Sequence, residues 1–346
     1  MYVLGIESSC DETAVAVVER GETNIVRAEA IKSQIDLHAP FGGIVPEIAA
    51  RTHYEAIDRL CRQALRQAGL DIEDIEMLAV TLGPGLVGSL LIGLAFAKGL
   101  AMAHDLPLVA VDHIAAHVEA AFISHEHIAY PLLALVVSGG HTTLFYQEDK
   151  FNGRVVAKTR DDAAGEVMDK IAKHFGLGYP GGPLLDALYG KGDPKRFQFT
   201  QPRMSDGSDD FSFSGYKSAL LRQAQELIAP PGSKEFHDLL ASFLSALVDY
   251  LLAKTLAAAG KLPVRSLIVS GGVSRNTLLR RRFADACAAT GLPLYLPEPR
   301  YCTDNAAMIA WLGYEKFAAY PNMNYYDLYF NSYSRALFRL PNNRHR

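Results

Sequence analysis

Cysteine is scarce and scattered in this chain. Its four copies, Cys10, Cys61, Cys287 and Cys302, never fall in a Cys-x-x-Cys pair. That spacing excludes the paired-thiol metal and redox motifs and reads as reduced thiols of a cytosolic protein. An excess of positive charge is missing too. A formal net charge of −4 gives no global attraction to nucleic acid, so any RNA contact requires a local patch or a partner. The basic runs are Arg280-Arg281-Arg282 and the tail 342–346, and runs this short are usually solvated surface. No long apolar run stands out. The most apolar stretch, 86–97, contains Ser89 and stops at Lys98, which reads as too short for a membrane span. The first residues lack the basic region of a signal peptide. These absences lead us to expect a soluble, cytoplasmic protein with no membrane partner. What is present is ordinary in bulk: 346 residues, enough for roughly two domains, with 49% apolar and 21% charged content.

Strand and helix patterns alternate almost throughout, which argues for α/β layering. Strands are expected over 2–8, 13–18 and 25–31, followed by a long helix over 45–68. Then come a strand at 77–82, a helix at 86–102, a strand at 108–111 and a further helix. The long helix has an apolar stripe, Ile48, Ala56, Leu60 and Leu65, which suits either core packing or a docking surface for another subunit. A second lobe begins near 132, where strand, Gly turn and strand echo the pattern of 5–17. A third, related turn lies in 266–276, and loops are expected over 190–210 and 229–232.

Chemistry concentrates at two histidines one helical turn apart. His113 and His117 follow the buried strand 108–111, and Asp112 reads as the N-cap of their helix. Residues four apart share a helix face, so both imidazoles can reach one metal ion. An isolated His-x-x-x-His is more often two ordinary histidines, but this pair sits just beyond a strand end, where open α/β sheets place their sites. Asp304 precedes an apolar helical pattern and reads either as a third ligand or as an N-cap. Two His and one carboxylate with open positions suit Fe(II), with Zn(II) as the alternative. Ile114 stands where a His-Glu-x-x-His peptidase carries its general-base Glu, so the peptidase base is missing.

Glycine pairs mark the second candidate region. The turns Ser138-Gly139-Gly140 and Ser270-Gly271-Gly272 follow apolar strands, and a polar turn occupies 8–13. Gly-Gly turns bring backbone N–H groups close to a ligand, which suits phosphate or nucleotide. Two strand-turn-strand lobes clasping a nucleotide is the pattern of the actin, sugar-kinase and Hsp70 superfamily. Asn276 suits either an adenine or ribose contact or a plain helix first turn. The helix 160–176 reads as capped by Asp162 and ended at Gly176. Asp169 on that helix, shortly before Pro180-Gly181-Gly182-Pro183, is the best candidate there for a ribose hydroxyl, and Asp186 is the second. A strand followed by Gly83-Pro84-Gly85-Leu86-Val87-Gly88 also fits a dinucleotide fingerprint. Pro84 speaks against it, because it removes a backbone donor where a pyrophosphate would sit.

Together these motifs resemble the TsaD family (also called Gcp or YgjD), the tRNA adenosine threonylcarbamoyltransferases. The resemblance is carried by Gly5-Ile-Glu-Ser-Ser-Cys-Asp-Glu-Thr13, Gly83-Pro-Gly-Leu-Val-Gly-Ser89, the histidine signature within 98–118, Ser138-Gly-Gly-His141, Asp161-Asp-Ala-Ala-Gly-Glu166, Phe213-Ser-Gly215, Ser270-Gly-Gly-Val-Ser274 and Thr303-Asp-Asn305. Departures are small: Thr81-Leu82 stands where an Arg is expected, and Tyr216 where a Leu is. The resemblance implies a two-lobed actin-like ATPase (ASKHA) α/β fold. Residues 1–129 would form the first lobe, completed by a C-terminal helix over 303–346, and 130–302 the second. It implies one divalent metal on His113, His117 and Asp304. It also implies adenine-nucleotide contacts (threonylcarbamoyl-AMP, AMP or ATP) from Val136, Val137, Ser138, Gly139, Gly140, Asp169, Gly182, Asp186 and Asn276. The activity it implies is transfer of threonylcarbamoyl from threonylcarbamoyl-AMP to the exocyclic amine of adenosine 37 in tRNAs reading ANN codons, with release of AMP. Partners would be a TsaB-like paralogue and a TsaE-like P-loop ATPase. Such a reaction uses an already activated mixed anhydride and requires no covalent nucleophile. Asp11, Glu12 and His141 then remain for positioning or proton transfer. The rival readings are a metallo-glycoprotease, a label the family once carried, and an ATP-binding scaffold or kinase of the same superfamily.

Overall fold

The computed structural model describes residues 1–202, 204–227 and 230–333. The chain forms two compact units, one of Met1–Glu126 with 297–333 and one of His127–Leu296. The first begins with the antiparallel strands β1 (Tyr2–Glu7), β2 (Glu12–Glu19) and β3 (Ile25–Ser33). After these come α1 (Ile35–His38), α2 (Pro46–Ala68), β4 (Met77–Gly83), α3 (Val87–His104), β5 (Leu108–Asp112) and α4 (His113–Ser124). Its sheet runs β3-β2-β1-β4-β5, with β4 parallel to β1 and β5 parallel to β4.

The second unit repeats the plan. Its elements are β6 (Leu132–Val137), β7 (Thr142–Gln147), β8 (Gly153–Lys158), α5 (Ala164–His174), α6 (Gly181–Tyr189), α7 (Ser214–Leu227), α8 (Lys234–Ala259), β9 (Ser266–Ser270), α9 (Thr277–Thr290) and β10 (Leu294–Tyr295). The sheet order β10-β9-β6-β7-β8 matches that of the first unit strand for strand. The chain then returns to the first unit through α10 (Pro299–Cys302) and α11 (Ala306–Ala319).

Central strands covered on both faces lose the polar alternation of a half-exposed sheet. Val3, Leu4 and Ile6 of β1 and every residue from Ala14 to Val18 of β2 are fully buried. Leu4, Ile6, Val15 and Val17 pack with Ala56 and Leu60 of α2 and Leu94 and Ala97 of α3. Helix α11 covers the opposite face, packing on β1, β2 and β4. It lies directly on strand backbone: a Cβ on Gly313 would sit 2.5 Å from the Ala79 Cβ, and one on Gly5 would collide with the Ala306 carbonyl. This seating delivers the residues just before α11 to the carboxyl ends of β1 and β4.

The structure decides one stated alternative and corrects two expectations. The apolar stripe of α2 is core, since Ala56, Leu60 and Leu65 are buried and Ile48 is half-buried, so it does not mark a docking face. The apolar stretch at 86–97 belongs to a longer helix. Both α3 and α8 are long and apolar enough by composition to cross a membrane. However, α3 packs on α2 and β4, and α8 places Phe236, Phe243 and Leu247 in the second core. The C-terminal helix ends at Ala319, ahead of Pro321. Residues 320–333 then run back along the first unit, where Leu108 N–H bonds the Tyr325 carbonyl and Tyr333 Oη donates to Asp112 at 2.6 Å. The remainder of that expected helix, and the basic tail 342–346, lie outside the described residues.

Candidate functional site

The histidine helix starts where it does because Asp112 accepts a hydrogen bond from the Ala115 N–H at 2.9 Å, an N-cap at the end of β5. His113 and His117 are both buried, with ring centroids 4.7 Å apart. Asp304 closes the group: its Oδ1 lies 3.5 Å from His113 Nε2 and 3.2 Å from His117 Nε2. The alternative role for Asp304, capping α11, falls to its neighbours. Asn305 accepts from Met308 N–H, and Glu29 accepts from the N–H groups of Ala306 and Ala307. Asp304 is therefore released to face the histidines. One donor atom from each of the three residues lies within 4.8 Å of the others. Two buried imidazole nitrogens and one convergent, partly exposed carboxylate fit a divalent cation with open positions. Ile114, the residue after His113, is fully buried in the core and offers no base.

Without a metal ion, the three side chains set one another's charge. Burial alone would depress His113, but Glu7 and Asp304 outweigh it and hold the imidazolium well above its ordinary range. Burial would raise Asp304, yet His113 and His117 pull it well below the usual carboxylate value. His117 is pushed down, chiefly by burial. Glu7 was not foreseen as a site residue. It is fully buried at the end of β1, and its Oε2 lies 3.0 Å from His113 Nδ1. Its signal was a carboxylate ending an otherwise apolar strand.

Beside the histidines, Asp11, Glu12 and Asp304 form a second convergent acidic group within 4.8 Å. Burial raises Asp11 and pushes Glu12 well above the ordinary carboxyl range, with Asp11 and Asp304 adding to the shift on Glu12. Both shifts favour the protonated carboxyl, so the pair is suited to holding a proton. The turn that carries it is tied down by Gln34 N–H to the Asp11 carbonyl (3.0 Å). His53 spans the Cys10 carbonyl and the Thr13 hydroxyl (3.0 and 2.7 Å). The loop after β4 folds over this same turn. Leu86 N–H bonds the Ser9 carbonyl at 2.8 Å, and a Cβ on Gly85 would lie 2.5 Å from that oxygen. The Gly-x-Gly segment thus wraps its own chain, and the dinucleotide reading loses its ligand space.

In the second unit the Gly turns gather into one region. Ser138 N–H donates to the His141 carbonyl (2.7 Å), and His141 N–H to Ser138 Oγ (3.1 Å), closing the turn after β6. Val136 and Val137 are buried in the strand, so only their backbone is available to a ligand. Gly139 and Gly140 have open space where a side chain would project, and Gly165 N–H bonds the Ser138 carbonyl, bringing the start of α5 against the turn. Asp169 of α5 accepts from Gly181 N–H at 2.7 Å, next to Gly182. Asp186 of α6 accepts from Thr277 N–H and Oγ1 at the head of α9. Asn276 is the N-cap there, its Oδ1 accepting from Leu279 N–H. Its buried Nδ2, like the Ser270 and Ser274 hydroxyls, has no hydrogen-bond partner among the described residues. Gly271 has φ +91°, and a Cβ there would collide with the Val137 carbonyl. Asp162 does not cap α5. Ala163 is the N-cap, and Asp162 pairs with Lys170 at 2.6 Å. Arg280 and Arg282 are engaged with the Ser274 carbonyl and with Asp249 and Ser245. Asp11 and Glu12 lie in the first unit and His141 in the second.

Comparison with known proteins decides the family. The chain matches the family model for TsaD, tRNA N6-adenosine threonylcarbamoyltransferase, over residues 25–311. It belongs to the TsaD family. It is 48% identical over 316 residues to the tRNA N6-adenosine threonylcarbamoyltransferase of Caldicellulosiruptor bescii, covering 91% of this chain and 93% of that one. With the enzyme of the same name from Moorella thermoacetica it shares 46% identity, covering 91% and 92%. Among solved structures it is similar to HypF of T. kodakarensis (TM-score 0.62, 15% identity, 92% of this chain and 48% of that one). It is also similar to component A of the (R)-2-hydroxyglutaryl-CoA dehydratase of Acidaminococcus fermentans (TM-score 0.54, 15% identity, 92% and 99%). These likenesses show the fold, the two-lobed α/β architecture of the actin-like ATPases.

Proposed function

We propose that this TsaD-family protein transfers the threonylcarbamoyl group of threonylcarbamoyl-AMP to the N6 amine of adenosine 37 in tRNAs that read ANN codons, releasing AMP. The two units serve as its lobes. The observation that carries the reading is the convergent His113/His117/Asp304 group, its histidines buried, with the Asp11 and Glu12 carboxyls converging on the same Asp304. A divalent metal held there, Fe(II) with Zn(II) as the alternative, supplies polarisation of a carbonyl oxygen and stabilisation of developing negative charge. The remaining work belongs to side chains. The amine nitrogen attacks the carbamoyl carbon, the bond to the AMP phosphate oxygen breaks, and the N6 proton passes to a base drawn from Asp11, Glu12 and His141. No covalent enzyme intermediate is needed, since the donor is already a mixed anhydride.

The nucleotide portion is assigned to the second unit. Backbone N–H groups at Gly139 and Gly140 suit the phosphate. The unpartnered Asn276 Nδ2 and Ser274 hydroxyl are donors suited to the adenosine portion, with Asp169 and Asp186 near the ribose. Gly182 has space beside it for close approach. A TsaB-like paralogue and a TsaE-like P-loop ATPase complete the working enzyme in the cytoplasm. The test is nucleoside mass analysis of unmodified tRNA incubated with the protein, threonine, bicarbonate, ATP and those partners. The expected product is threonylcarbamoyladenosine. Unmodified adenosine throughout, with steady ATP hydrolysis independent of tRNA, would favour the kinase-like scaffold instead.

A further inference from the structure

The two histidines of the metal group are not held alike. His117 Nδ1 is buried with no hydrogen-bond partner among the described residues. His113 Nδ1 instead lies 3.0 Å from Glu7 Oε2 and 3.3 Å from Ser9 Oγ. Glu7 is itself fixed on every side. Its Oε1 accepts from the Ser9 N–H and its Oε2 from Thr81 Oγ1 at 2.6 Å, and nothing of it reaches solvent.

We propose that Glu7 is the positioning residue of the metal group: it fixes the hydrogen of His113 on Nδ1, so that Nε2 presents its lone pair toward Asp304 and the metal. A carboxylate only accepts, so the Glu7 contact requires a hydrogen on Nδ1. The Ser9 hydroxyl can turn and accommodates either arrangement. Carboxylate–imidazole–metal alignment of this kind sets ring orientation and ligand basicity. Thr81 holds the Glu7 carboxylate in place through its hydroxyl.

An isosteric change exposes the role. In Glu7→Gln the amide oxygen must face the Ser9 N–H, a donor fixed in the backbone. The amide NH2 then faces Thr81 and His113. Thr81 Oγ1 can turn its hydrogen to the Ile6 carbonyl, 3.4 Å away, and accept from the amide. The NH2 therefore donates to His113 Nδ1, which moves the ring hydrogen to Nε2 and blocks ligation.

The inference rests on the proposed metal site, and cobalt(II) titration of the purified full chain tests both. Wild type should bind one Co(II) with visible ligand-field bands. Glu7→Gln should bind about 10- to 100-fold more weakly, with altered bands reporting loss of a nitrogen ligand. In the zinc-loaded wild type, ring 15N shifts should show hydrogen on Nδ1 of His113 and metal on Nε2. Thr81→Val keeps the carboxylate and should retain this pattern with a smaller loss of affinity. Wild-type affinity and bands in Glu7→Gln would overturn the role of Glu7 alone. So would His113 still ligated through Nε2 in that variant. Failure of the wild-type chain to bind Co(II) would overturn the metal site and this inference together.

Discussion

At Asp304 the chain keeps a carboxylate that has no duty in its own helix. Asn305 and Glu29 satisfy the first N–H groups of α11, and Asp304 turns to His113 and His117. Replacing any of the three by Ala should remove the metal while the fold persists, at a cost beyond the ~10–100-fold typical of outer-shell changes. Elemental analysis of His113→Ala/His117→Ala checks this, and a retained stoichiometric metal would reject the site. His53 gives a second residue-scale prediction. Burial holds it below its ordinary value, so the unfolded chain binds the proton more readily. Stability must then fall as pH drops through ~6.5, the unfolded value. Urea midpoints between pH 7 and pH 5 should fall less steeply in His53→Gln than in wild type, and an unchanged slope would contradict the assignment.

Elements were legible where periodicity was strong. The strands of the first unit, β6, β7 and β9 of the second and the helix from Pro46 appear with ends within a few residues of those expected, because burial on both faces leaves long apolar runs; the half-exposed β8 and the two-residue β10 were not foreseen. Asp304 was visible as a candidate, but its choice between ligand and cap depended on Glu29, a residue 275 positions away in sequence. Glu7 was hidden because a strand pattern does not reveal which carboxylate will be buried beside a histidine. The overlong C-terminal helix came from the resemblance, which carried no residue-level signal for where the helix stops, whereas the chain ends it at Ala319, ahead of Pro321. Two glycine contrasts test the packing. Gly313→Ala places a methyl 2.5 Å from the Ala79 Cβ and should cost about 1–3 kcal/mol of unfolding free energy, an overpacking penalty. Gly139→Ala enters open space and should leave the unfolding midpoint unchanged while lowering AMP affinity in calorimetry. Gly271→Ala should lose stability as well, since its backbone and the Val137 carbonyl both exclude a side chain.

For the whole molecule, charge sets the terms of tRNA recognition. A net charge of −4 gives no global attraction to a polyanion, and Arg280 and Arg282 of the one described basic run are engaged in the second unit's own fold. The chain alone should therefore bind tRNA only in the nonspecific range, about 1–100 µM at physiological salt. The complex with a TsaB-like subunit and a TsaE-like ATPase should bind far more tightly at the same ionic strength. Sub-micromolar affinity of the lone chain would contradict this. The most direct test of the central claim bypasses donor synthesis. Threonylcarbamoyl-AMP is supplied ready-made to the complex with unmodified tRNA, and nucleosides are analysed by mass. The wild-type chain should yield threonylcarbamoyladenosine and the His113→Ala/His117→Ala chain should not. Equal product from both would show that the transfer does not occur at this site.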